Sequence, residues 1–343
     1  MMKKLTLRIR LFLFLCIMLL YSAKGMSAQK IEKSEGESEG EAFEHFVNGD
    51  LLELYGDFPS ALAEYQKAVA LQPRIPEIRY ALARAYLILR DVDSAKKEAL
   101  QIEPKDADTY RLLGDCYRAS QQGDSAAQAY SMALELDSTD LNSLWYLAVY
   151  WEQKNDINKA IDYWKKIGSL QSFSPAVHLQ LATLLFQIGK YDEAVSEYKK
   201  VLDLQPDNRK ALYGLGQSYE ANNDLQEAIG AYKRILELEP ANEQVRNRII
   251  ALYYQTGEKD EAIKEAETYS ILSPDDPNTR KRLGVLYLSQ GDYQKAESLF
   301  VLYIQSKPDD AQIHFYIGRI ALQKENLEKA KKEIEEFIEN NSR

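Results

Sequence analysis

The stretch RKALYGLGQSYEANNDLQEAIGAYKRILELEPAN, residues 209–242, decides the fold, because its layout returns at a 34-residue step along most of the chain. Ala228 belongs to a series, Ala61, Ala95, Ala126, Ala160, Ala194, Ala228, Ala262, Ala296 and Ala330, with intervals of 34, 31 and then six times 34. Pro240 shares its step with Pro206, Pro274 and Pro308, and Pro73 and Pro104 open that series. Self-similarity at a fixed period of about 20–50 residues is the mark of a repeat architecture. A stack of repeats grows along one axis and adds core with each unit, so the 343 residues need no division into globular domains.

Aligned on the alanines, nine repeats start at Ala42, Pro76, Ala107, Leu141, Pro175, Arg209, Glu243, Pro277 and Ala311. Each holds two helical patterns of about a dozen residues. The turn between them is marked by Gly56-Asp57, Asn155-Asp156, Gly189-Lys190, Asn223-Asp224, Gly257-Glu258, Gly291-Asp292 or Glu325-Asn326. Gly and Asn tolerate the left-handed backbone that ends a helix. The prolines end the second helix and turn the chain into the next repeat.

Position 8 of the repeat carries Gly49, Ala83, Gly114, Ala148, Ala182, Gly216, Ile250, Gly284 and Gly318. Position 11 is large in eight repeats, and position 24 holds Tyr65, Tyr130, Trp164, Tyr198, Tyr232 and Phe300 in six. Small residues at 8 and 20, large ones at 11 and 24 and Pro at 32 resemble the tetratricopeptide repeat, a helix–turn–helix unit. The resemblance covers residues 42–343 and implies an all-α, right-handed α-solenoid of nine helix pairs. Small side chains let paired helices approach while large ones fill the slot against the next repeat. Repeat 2 lacks three residues and has Ala99 for the aromatic, so its second helix is expected to be short. Repeat 7 exchanges Ile250 for a small residue and Ala266 for a large one, which compensate in volume. The polar segment KAKKEIEEFIENNSR is expected to cap the C-terminal end.

Residues 1–10 hold Lys3, Lys4, Arg8 and Arg10 without an acid, residues 11–21 are unbroken apolar, and small residues follow. That order reads as a secretory signal peptide over 1–28, cut after Gly25 or Ala28. An uncleaved segment would be the chain's one route to a membrane, and its apolar run falls short of the roughly 20 residues a span needs. Residues 29–41, QKIEKSEGESEGE, read as an acidic flexible linker. Export to the periplasm or envelope of a bacterium follows, with secretion beyond it as the extension of the same reading. Removal of 1–28 shifts the net charge from −10 to about −15, which repels phosphate backbones and excludes nucleic acid as partner. Cys116 is then a lone thiol, expected in the core.

Catalytic signatures are missing: no HExxH, CxxC, GxSxG or phosphate-cradling loop occurs. His45, His178 and His314 all stand at position 4 of distant repeats, a packing site rather than a metal cluster, so neither metal nor cofactor is expected. The resemblance places positions 2, 5, 9 and 12 of each first helix on a concave surface. Those positions supply Tyr80, Arg84, Arg111, Arg118, Trp145, Phe186, Tyr213, Tyr254 and Phe315, residue types that dominate binding hot spots. The expected function is a non-enzymatic scaffold that grips a peptide or helix of a client protein during assembly or secretion of surface structures, with the arginines selecting acidic groups. The alternative is an accessory subunit that binds polysaccharide in an envelope export system, its aromatic rings stacked on sugars.

Overall fold

A computed structural model describes residues 31–341, so the expected leader lies outside the described residues. The chain divides into two compact units, Met1–Tyr150 and Trp151–Arg343. The first contains α1 (Ile31–Leu54), α2 (Phe58–Leu71), α3 (Pro76–Ile88), α4 (Val92–Leu100), α5 (Ala107–Ala119) and α6 (Gly123–Leu136), and α7 (Leu141–Gln153) runs across the boundary. The second contains α8 (Ile157–Leu170), α9 (Pro175–Gln187), α10 (Tyr191–Leu204), α11 (Arg209–Ala221), α12 (Leu225–Leu238), α13 (Glu243–Thr256) and α14 (Lys259–Leu272). It ends with α15 (Pro277–Gln290), α16 (Tyr293–Ser306), α17 (Ala311–Gln323) and α18 (Leu327–Asn341). No strand occurs among the described residues, and both helices of each of the nine expected repeats form. None of these helices is long and apolar enough to cross a membrane.

Local chemistry sets the helix boundaries. Asp106 accepts the Thr109 amide at 2.8 Å, and Asn208 accepts that of Ala211 at 3.1 Å, so first-turn N–H groups find partners. The seven turn markers read from the sequence each place a residue at positive φ, from 59° at Glu325 to 86° at Gly291. Arg90 and Gln121 do the same in repeats 2 and 3, at 66° and 59°, where no marker announced it.

Within each unit, helices adjacent in the chain pack together, α1 on α2 and α9 on α10 for example, and the first helices α3 with α5 and α9 with α11 also touch. All nine alanines of the 34-residue series are buried. The ring at position 24 lies on the backbone of position 8. A Cβ on Gly49 would stand 2.5 Å from Tyr65, and one on Gly216 would stand 2.6 Å from Tyr232. In repeat 2, α4 spans nine residues against 14 in α2, and Ile102, just beyond its end, is buried. In repeat 7, Ala266 is buried in the cluster against which Ile250 packs, so the two exchanges meet in space. Cys116 is buried, and loss of water, with Asp115 beside it, pushes its thiol up to about 12.

Two expectations change. Residues 31–41, read as flexible linker, are the opening turns of α1. Glu and Lys are good helix formers, and the packed part of the helix, where Ala42 is fully buried and the Ser38 hydroxyl donates to the Leu71 carbonyl at 3.4 Å, extends backward through them. The polar character of α18 is also incomplete as a cap. It buries Ala330 alone, while Leu327 and Ile338 are 72% and 57% exposed.

Arg90 in the left-handed region carries a Cβ penalty that glycine lacks. Arg90→Gly is expected to raise stability by about 1 kcal/mol, read as a higher urea midpoint. An unchanged or lower midpoint would contradict the strain.

Candidate functional site

Positions 2, 5, 9 and 12 of the first helices share one helical face. What stands there depends on the ring behind it. The Tyr65 hydroxyl reaches past Gly49 and donates to Asp50 at 2.8 Å and Glu53 at 3.0 Å. Tyr130 donates to Asp115 at 2.7 Å, Tyr232 donates to Glu220 at 2.6 Å, and the Trp164 indole N–H donates to Glu152. Burial, reinforced by the carboxylate, pushes the hydroxyls of Tyr65, Tyr130 and Tyr232 well above the ordinary tyrosine value and keeps them donors.

Three of these acids take a second donor from the next repeat. Arg84 reaches Glu53 at 2.7 Å, Gln180 reaches Glu152 at 2.9 Å and Arg248 reaches Glu220 at 2.8 Å. These carboxylates are brackets between repeats. Their sequence signal is an acid at position 9 or 12 wherever position 24 has a polar tip, in repeats 1, 3, 4 and 6. Repeat 5 has Thr183 beside Tyr198 instead.

A second bracket stands at position 4. His178 faces Glu197 at 2.7 Å and the Ser172 carbonyl at 3.0 Å, and His314 faces Glu333 at 2.7 Å and the Pro308 carbonyl at 3.0 Å. Arg246 donates to Glu265 at 2.5 Å and to the Pro240 carbonyl at 2.8 Å. Arg79 pairs with Glu98 and the Pro73 carbonyl, and His45 pairs with Glu64. Base at 4 and Glu at 23 occur together in repeats 1, 2, 5, 7 and 9, a pairing legible in the sequence that the packing reading of the histidines missed. No group of three metal-ligating side chains converges among the described residues.

The expected groove residues fall in both compact units. In the first unit all three arginines are committed. Arg84 holds Glu53, Arg111 holds Asp108 at 2.6 Å and Asp140 at 3.3 Å, and Arg118 holds Asp115 at 3.0 Å. Each of the three thus has an acid of the chain itself beside it. Tyr80 is half-buried under the Arg84 guanidinium, 6.0 Å from its ring centre, and Trp145 is half-buried on α7. In the second unit Phe186 leans on Tyr191 and Tyr213 on Tyr232, at ring distances of 5.4 and 5.8 Å. The Tyr254 hydroxyl meets that of Ser289. Phe315 is 41% exposed, beside Phe337 at 5.5 Å.

Repeats 7–9 differ from repeats 1 and 3–6. Their second helices present Ala266, Phe300 and Ile334 at position 24, without a polar tip, and their first-helix face carries Tyr254, Val285, Leu288, Phe315 and Leu322. Lys281 on that face is taken by Asp310 at 2.7 Å. Arg319 lies 5.9 Å from the Phe315 ring centre and forms no ion pair among the described residues.

The tetratricopeptide repeat model matches residues 52–108, 179–243 and 281–340, and a second model of the same repeat matches 219–283. Among curated proteins, BBSome complex member BBS4 of Bos taurus is 25% identical over 206 residues, 59% of this chain and 39% of that protein. Protein O-mannosyl-transferase TMTC1 of Homo sapiens is 27% identical over 168 residues, 47% of this chain and 19% of that protein. The chain thus spans less than half the length of either relative. Among solved structures, the C-terminal part of a TPR repeat-containing protein from Cytophaga hutchinsonii matches at 22% identity with a TM-score of 0.47, covering 68% of this chain and 97% of that one.

Tyr232→Phe keeps the ring on Gly216 and removes one of two donors to Glu220. The expected cost is about 1 kcal/mol in urea unfolding, since Arg248 remains. No loss at all would show that the tyrosine tip contributes nothing to the bracket.

Proposed function

This chain belongs to the tetratricopeptide repeat family, and we propose that the first-helix face of repeats 7–9 is where it holds a segment of a client protein. The family is one of protein-interaction scaffolds, and the relative BBS4 is by name a member of a complex. One observation carries the assignment within the chain. Along repeats 1–6 the acids and arginines named above are spent on internal brackets, whereas repeats 7–9 offer Phe315 and Leu322, 41% and 47% exposed, with Arg319 in no ion pair among the described residues. Exposed apolar side chains around the Arg319 guanidinium fit an amphipathic helix or extended peptide whose apolar residues flank a carboxylate.

The reading is non-enzymatic. The acids of the described face accept hydrogen bonds from Tyr, Trp, Arg or Gln, so a general acid–base couple has no free member there. The match to TMTC1 covers a fifth of that transferase and carries no residue role over. Work in a bacterial envelope, in assembly or secretion of surface structures, is supported by the leader-like sequence of residues 1–28.

A photo-crosslinking residue in place of Leu322, compared with one in place of outward Lys200, tests the face in intact cells. Protein adducts are expected from position 322 alone, and Phe315→Ala with Arg319→Ala should reduce them at least about tenfold with unchanged circular dichroism. Equal adducts from both positions, or adducts to polysaccharide, would overturn the assignment.

A further inference from the structure

His314 is buried at 7% exposure, and each of its ring nitrogens faces an oxygen. Nδ1 stands 2.7 Å from the Glu333 carboxylate of α18, and Nε2 stands 3.0 Å from the Pro308 carbonyl in the α16–α17 loop. A carbonyl can only accept, and so can an ionised carboxylate. Neutral imidazole has one N–H, so it satisfies one of these oxygens and turns a lone pair on the other. The three-way joint between α17, α18 and the preceding repeat closes with one further proton on the ring. The arginine joints of the same chain supply the comparison. Arg246 makes the same two contacts, to Glu265 and the Pro240 carbonyl, with donors that never titrate near neutrality.

We infer that His314 is a proton-dependent brace, which docks repeat 9 onto the α16–α17 loop when the joint holds its extra proton and releases that tie when the proton leaves. The charged groups acting on the ring are Glu333 and Glu336, both on α18. Asp310, at the start of α17, is engaged elsewhere by Lys281 and Tyr303, and on α18 Lys329 is engaged by Glu297 and Lys331 by Glu335. Burial alone would lower the histidine's pKa, but the hydrogen bonds to Glu333 and the Pro308 carbonyl outweigh it and hold the value above the ordinary 6.5. With the folded value raised, the stabilisation is complete below the unfolded value and disappears as pH climbs through the folded one. Each unit of elevation appears as an about tenfold change in the local opening constant.

The consequence is local. Phe315, Arg319 and Leu322 ride on α17, so in the reading of the preceding subsection the client face is best formed on the acid side of neutrality. The test below does not depend on a client. Amide hydrogen exchange of the full chain is measured at about pH 5.5 and about pH 8.5, corrected for intrinsic rates, together with the NMR titration of the His314 ring. The brace predicts that His314 titrates above the ordinary histidine value and that α17 and α18 open more readily at the higher pH. Arg280 and α15–α16, braced by no histidine, serve as the internal reference. His314→Arg should remove the pH difference and retain slow exchange at both values, while His314→Gln should exchange fast at both. A ring that titrates at or below the ordinary value would overturn the inference. So would an equal pH difference in His314→Arg, which folds by the precedent of Arg246.

Discussion

In repeats 1, 3, 6 and 8 an aromatic ring at position 24 rests on the bare backbone of a glycine at position 8, with no room for even one more carbon. That contact fixes how closely the two helices of a repeat approach, and from it the other features follow. A ring seated there is buried outright, so its polar tip has to be satisfied on the far side, on the first-helix face. Tyr65, Tyr130 and Tyr232 each find a carboxylate there, and those carboxylates in turn collect Arg84, Arg118 or Arg248. Phe300 has no tip, and the face before it is Val285 and Leu288. The choice of ring in the core thus sets the polarity of the surface a partner would meet.

A face patterned in this way has two kinds of residue that look alike in isolation. Glu53, Glu220 and their basic neighbours hold repeats together, and their removal is a stability event. Phe315 and Leu322 keep 41% and 47% of their surface exposed, and Arg319 lies over the Phe315 ring without an ion pair among the described residues. Aromatic content by itself does not separate them: Phe186 and Tyr213 lean on Tyr191 and Tyr232, whereas Phe315 keeps part of its surface open. Buried area within the repeat, not residue type, marks the difference.

The periodic features were legible because they follow from chain geometry. Alanines at position 20, prolines at 32 and the Gly or Asn turn markers each answer a local steric demand, so they return wherever a repeat returns. The short α4 was legible from three missing residues. Arg90 and Gln121 were not, since neither is, or stands directly beside, a Gly or Asn that would mark the turn. The opening turns of α1 were hidden by their composition, which suits a solvated coil and an exposed helix equally until Ala42 is packed. On the face, the positions were legible but the commitments were not. Whether Arg111 is free depends on Asp108 and Asp140, one on its own helix and one just before the first helix of the next repeat. The pairing of a base at position 4 with Glu at position 23 was present in the sequence, and reading one position at a time passed over it.

The dependence of helix approach on the unoccupied position can be separated from ordinary helix propensity within one repeat. Gly216 lies under Tyr232, whereas Gly230, on the exposed side of α12, has nothing within 4 Å of an added Cβ. The urea midpoints of Gly216→Ala and Gly230→Ala decide the matter. Opposite signs are predicted: a gain of up to about 1 kcal/mol at Gly230, where alanine is the better helix former, and a loss of about 1–3 kcal/mol at Gly216, where the new methyl group overpacks the ring. A gain at both positions would show that the ring does not set the approach, and the account built on that contact would be wrong.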